Sequence, residues 1–149
     1  MGISEDIKQP KFASEFNKSI INVIYTNGWI SQHQLGIFKP YGLTTPQYNI
    51  LRILRGQHAK PATINLLIER MLDKSSNASR IVDKLEEKEL VERKQCKGDR
   101  RAVDVFISDR GLNLLSEIDD HLNRWEASIQ RLTEEESLQL NLLLDKLRG

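Results

Sequence analysis

The sequence holds one cysteine, Cys96, in 149 residues, so no disulfide can form within the chain. No apolar run approaches the roughly 20 residues that span a bilayer; the richest, SIINVIY at 19–25, is far too short. The opening MGISEDIKQP is polar and mixed in charge, without a signal-peptide core. Asp6 stands where a myristoylation signal would carry Ser or Thr. A cytoplasmic chain with no membrane partner is the expectation. His33, His58 and His121 are scattered, with neither HExxH nor Cys/His metal spacing. A Gly-rich phosphate loop and a nucleophile elbow are also missing, so no metal, no cofactor and no enzymatic activity are expected. The Asn77-Ala78-Ser79 sequon falls inside a predicted helix of an intracellular chain and is read as incidental.

What is present describes one ordinary globular domain: 39% apolar and 29% charged residues, with no internal repeat or low-complexity linker. The net charge of +1 conceals an asymmetry. Residues 74–101 carry nine Lys/Arg against six Asp/Glu, a net +3, whereas residues 109–149 carry five against nine, a net −4. Local positive potential, rather than the total, is what a polyanion meets.

Periodicity gives the elements. A first long helix is expected over about 11–38, with Phe16, Ile20, Ile24, Ile30, Leu35 and Phe38 as its apolar side and Gly28 as an interruption. Pro40 and Gly42 break the chain. Thr44 or Thr45 then caps a second helix that has Pro46 at its first position and Tyr48, Leu51, Ile53 and Leu54 facing inward. Thr63 caps a third helix, INLLIERML. A short Asp73-Lys74-Ser75 connection leads into a fourth, where Ala78, Ile81, Val82 and Leu85 form a buried stripe. This is a helix-turn-helix pattern. The period then changes to two in LVERK and AVDVFIS, with a Gly-Asp hairpin tip between them. Ser108 caps a long amphipathic helix, and Thr133 with Glu136 forms a capping box for the last. The expected fold is mainly α with a small β-hairpin wing: a winged helix-turn-helix at about 44–108, with additional N- and C-terminal helices at about 11–40 and 109–149.

A helix of this kind fits the major groove of B-DNA. Outside its buried stripe lie Ser76, Arg80, Asp83 and Glu87, flanked by Ser75, Asn77, Ser79 and Lys84. Arg80 can bond guanine bidentately and Asn77 adenine, while the serines suit bases or phosphates. Asp83 is expected to brace the surface rather than touch DNA. In the hairpin, Arg93, Lys94, Lys97, Arg100 and Arg101 are offset only by Asp99 across nine residues. Such a tip suits the minor groove, and Asp99 is placed to orient Arg101. The alternative is a winged-helix module that binds a protein instead of DNA.

YGLTTPQYNILRILR, SRIVDKLEEKELVERK and GDRRAVDVFISDRG, with the long helices around them, resemble the MarR family of bacterial transcriptional regulators over nearly the whole chain. The resemblance implies an obligate homodimer joined by the terminal helices. It implies that Arg101 enters the minor groove with support from Asp99, and that a pseudo-palindromic double-stranded DNA site is bound, most often to repress. It further implies a small, often aromatic, effector, for which Tyr25, Trp29, His33, Phe38 and Tyr41 are candidate pocket residues; core or dimer interface is the other reading of those aromatics. Two departures stand out. Glu89 occupies the position after the recognition helix where the family usually has Gly, at a cost of roughly 1 kcal/mol if the residue is left-handed. Redox-sensing members carry a cysteine near the first helix; here the thiol is in the wing, where nearby cations would lower its pKa.

Overall fold

Short polar side chains set nearly every helix start. In the computed structural model, which describes residues 2–57, 60–96 and 98–149 and the backbone alone of Arg100 and Arg101, the order is α1 (Ile3–Asp6), α2 (Glu15–Phe38), a 3-10 turn (Lys39–Tyr41), α3 (Thr45–Gly56), β1 (Ala62–Thr63), α4 (Ile64–Arg70), α5 (Ala78–Glu87), β2 (Val91–Cys96), β3 (Asp99–Ile107), α6 (Asp109–Ile129) and α7 (Glu134–Arg148). Ser14, Thr44, Thr63, Asn77, Ser108 and Thr133 each accept a hydrogen bond from a backbone N–H of the first turn that follows. At Thr44/Gln47 and Thr133/Glu136 the bond is reciprocal, a capping box. Among the described residues no helix is long and apolar enough to cross a membrane.

The core lies where α3, α4, α5, the wing and the middle of α6 converge. Ile50, Leu51, Leu67, Val82, Leu85, Val105, Leu115 and Ile118 are fully buried there. β3 is the central strand of an antiparallel sheet ordered β1-β3-β2. Ala62 pairs with Val105, and Val91 with Ile107. The mainly α winged helix-turn-helix is therefore present.

Several boundaries differ from expectation. α2 begins at Glu15, because Ser14 takes the cap, and the preceding segment forms the separate turn α1. Gly28 does not break α2. α3 is capped by Thr44, which places Pro46 second rather than first. β1 is too short to show a period, and its tie to β3 supplies the signal that sequence lacks. α4 stops at Arg70, and α5 starts only at Ala78, so the connection is longer than Asp73–Ser75.

The exit from α5 settles how Glu89 is accommodated. Glu89 has φ +59°, the left-handed region. Its N–H donates to the Glu86 carbonyl at 2.9 Å and the Leu90 N–H to the Leu85 carbonyl at 3.0 Å, the paired bonds of a Schellman ending. Leu85 and Leu90 are both buried beneath it. The turn is thus the one a glycine would make, built with a glutamate. The Leu90 carbonyl next accepts from Ser108 N–H at 3.0 Å. A Cβ on Gly111 would lie 2.4 Å from that same carbonyl oxygen, so the α6 start demands glycine.

Candidate nucleic-acid interface

Asn77, Ser79, Arg80, Asp83, Lys84 and Glu87 are exposed on α5 or at its cap. They are not equally available. Asn77 Oδ1 accepts from the Arg80 N–H at 3.1 Å, so a bidentate adenine contact would cost the helix its cap. In the turn before α5, the Ser75 hydroxyl donates to Asp73 Oδ1 at 2.6 Å and the Ser75 N–H to the same oxygen at 2.9 Å. Those bonds, joined by one from the Ser76 hydroxyl, hold the Asp73 carboxyl below its usual pKa. Both serine hydroxyls therefore serve the turn, and a hydroxyl proton given to Asp73 is not available to a phosphate.

The acidic residues on the outer face are paired. Glu87 lies 3.3 Å from Lys84 Nζ. Asp83 Oδ1 lies 2.5 Å from Arg93 Nη2, which also donates to the Ser79 carbonyl at 3.2 Å. Asp83 is thus a brace, as its sequence position suggests. Arg93, a wing cation expected at DNA, forms the other half of that brace, tying β2 to the first turns of α5. Arg80 makes no side-chain ion pair or hydrogen bond among the described residues, and its exposed guanidinium points away from the Ala78–Val82–Leu85 stripe.

In the wing, Lys94 Nζ sits 5.2 Å from the centre of the Phe106 ring, held over its face while exposed. Gln95 pairs with Val103 but Cys96 with Asp99, so residues 100–102 form an irregularity in β3 with no counterpart on β2. Asp99 is exposed at the start of that irregularity. Lys97 and the side chains of Arg100 and Arg101 lie outside the described residues. A concavity of about 530 Å³ separates wing from helix, with Asn65, Ser79, Arg93 and Asp99 on its walls. The Cys96 thiol is pushed up in pKa by its hydrogen bond to Asp104, by burial, and by the charges of Asp104 and Asp99. The lowering expected from neighbouring cations is overturned by these nearer carboxylates.

The five aromatic residues expected at an effector pocket have different surroundings. Phe38 is fully buried and stacks on Tyr48 with centroids 4.2 Å apart, which makes it core. Tyr25 and Trp29 flank one concavity with Ile3 of α1. Tyr41 borders another, against Lys88 and Arg110. His33 donates through Nδ1 to the Trp29 carbonyl at 2.8 Å, which fixes its tautomer when neutral, and its ring lies between Trp29 at 4.6 Å and Trp125 at 6.2 Å. Trp125 was not singled out from sequence, though it continues the Ile118, Leu122 stripe of α6. Its Nε1 is buried and has no partner among the described residues.

A helix-turn-helix with an outward polar second helix and a basic hairpin beside it defines a winged helix-turn-helix DNA-binding module. Within that class the chain belongs to the MarR family of transcriptional regulators. The MarR family model matches residues 43–103. The HTH-type transcriptional regulator MhqR of Bacillus subtilis is 32% identical over 108 residues, covering 72% of this chain and 73% of its own length. Among solved structures, the chain is similar to the organohalide-sensing regulator RdhR in its 2,4-dichlorophenol-bound form (TM-score 0.80, 20% identity, 94% of this chain and 85% of that one). It is also similar to MepR of S. aureus in complex with DNA (TM-score 0.73, 20% identity, 92% and 96%). At such identities these two likenesses speak for the fold alone. The family consists of transcriptional regulators, not enzymes.

Proposed function

We propose that the protein is a homodimeric repressor that binds a pseudo-palindromic double-stranded DNA site, one recognition helix α5 to each half. The observation that carries this reading is the pairing of two surfaces. One is the outer α5 face, on which Asp83 and Glu87 are paired while Arg80, alone among its cations, has no side-chain partner among the described residues. The other is the unburied apolar side of the terminal helices: Phe16, Ile24 and Leu35 on α2, and Leu138, Leu142 and Leu143 on α7 are 47–67% exposed in one chain. α7 buries no residue at all. An apolar stripe of that extent is expected to be covered, and a second copy of the same helices covers it symmetrically.

Within this reading Ser79, Arg80 and Lys84 meet the major groove. Lys94, Lys97, Arg100 and Arg101 meet the backbone and minor groove, with Asp99 orienting Arg101. Asn77, Asp83 and Arg93 hold the helix and wing in place. Release by a small aromatic effector is part of the proposal. It is supported by Trp125, whose ring stacks with His33 at 6.2 Å and whose buried Nε1 has no partner among the described residues, a donor that a phenolic oxygen would satisfy.

The test is selection of genomic fragments by the full chain, with sedimentation of the protein on the fragments recovered. Enrichment of an inverted repeat with two chains per duplex is expected. Truncation before Thr133 should leave an aggregating or unfolded monomer; a folded, soluble monomer would place the interface elsewhere. Failure to enrich any sequence would favour a winged-helix module that binds protein.

A further inference from the structure

Helix α3 meets the two long helices at two separate points. Near its start, Tyr48 stacks on Phe38, the last residue of α2, with planes 21° apart. Two turns later Arg55 grips Asp119 of α6 through two parallel bonds, Nη1 to Oδ2 at 2.6 Å and Nη2 to Oδ1 at 3.2 Å. The two residues are about 10 Å apart along the helix axis. A single contact would fix a position. Two contacts on one helix, made to two different neighbours, also fix its direction.

α3 in turn packs directly against the recognition helix α5. Any rotation of α3 relative to α2 and α6 therefore swings α5. Apart from Arg110–Glu89 at the exposed start of α6, Arg55–Asp119 is the one ion pair among the described residues that joins α6 to the DNA-binding lobe. The side chains are about a third exposed, at 33% and 36%. An ion pair so placed adds little to stability; what its fork geometry adds is direction. The hydrogen bond that Arg55 donates to Asp119 raises its pKa above the usual arginine range, so the guanidinium remains charged wherever the protein is folded.

We propose that Arg55 is a positioning residue that, through Asp119, sets the angle between each recognition helix and the dimer body, and so the half-site spacing the protein accepts. This rests on the dimeric DNA-binding reading above. Inserting one base pair between half-sites turns one of them by about 34° and shifts it about 3.4 Å, a change that only a rigid lobe-to-dimer joint rejects.

The test uses the duplex that the wild-type chain enriches from a random-sequence library, and versions of it with one or two pairs added or removed at the centre. Wild type is expected to lose about tenfold in affinity or more per step, the size of one mismatched base pair. Arg55→Met is expected to flatten that spacing profile severalfold, with dimer mass and affinity for a single half-site unchanged. The charge-reversed double variant Arg55→Asp with Asp119→Arg should restore the profile. Asp119→Asn should flatten it likewise and answers the question if Arg55→Met fails to fold. A wild-type spacing profile in either folded variant overturns the proposal. If the wild-type chain enriches no duplex, the DNA-binding reading itself falls, and this proposal with it.

Discussion

The Arg93 guanidinium reaches across from the wing and closes on the Asp83 carboxylate of α5 at 2.5 Å. One side chain thereby fixes the angle between the two elements assigned to DNA. Arg93 is about a quarter exposed and its second bond goes to the Ser79 carbonyl. Its charge is satisfied within the protein.

Arg93→Met should accordingly weaken operator binding without changing how affinity varies with salt. A phosphate ligand behaves otherwise, since its removal lowers the salt slope by about 1. Measuring affinity at several salt concentrations decides between the two. An unchanged slope supports the brace, and a reduced slope would return Arg93 to the list of phosphate contacts.

Arg80→Ala should cost about 1–3 kcal/mol at one preferred base and relax discrimination there. Binding to duplexes substituted one position at a time reads this directly. An equal loss on every duplex would make Arg80 a phosphate contact.

Glu89→Gly should stabilise the fold by about 1 kcal/mol, because φ +59° is strained for glutamate and free for glycine. The lost Arg110 contact is largely exposed, at 68% and 78% for the two side chains, and offsets little of that gain. Thermal melting should move upward. A lower midpoint would mean that the Glu89–Arg110 pair outweighs the backbone strain.

Cys96 should alkylate with iodoacetamide at pH 7 more slowly than a free cysteine, since Asp104 raises its pKa and depletes the thiolate. Asp104→Asn should speed the reaction. A wild-type rate above that of free cysteine would reopen the redox reading.

Much of this architecture is legible in the sequence, for local reasons. Thr44/Gln47, Thr63, Ser108 and Thr133/Glu136 announce their helices, because capping is a contact between residues three apart. The Val82–Leu85 stripe and the alternation through Val105 are likewise short-range patterns. What stays hidden depends on distance along the chain. β1 is strand only because it lies beside β3, and Arg55 meets Asp119 across 64 positions. The roles of Ser75 and Asn77 also escape a count of polar residues. The same side chain suits DNA or a helix cap, and only geometry shows which bond it has already made. Phe38 is a similar case: its type suits an effector pocket or the core, and only the stacking on Tyr48 shows that it is core.

The most direct test of the central claim is fluorescence anisotropy of the protein with DNA from immediately upstream of its own gene, against a scrambled duplex, over a salt series. Tight binding to the first duplex alone, falling steeply as salt rises, is the result predicted. Weak binding of equal strength to both duplexes, repeated with fragments drawn from the rest of the genome, would contradict it.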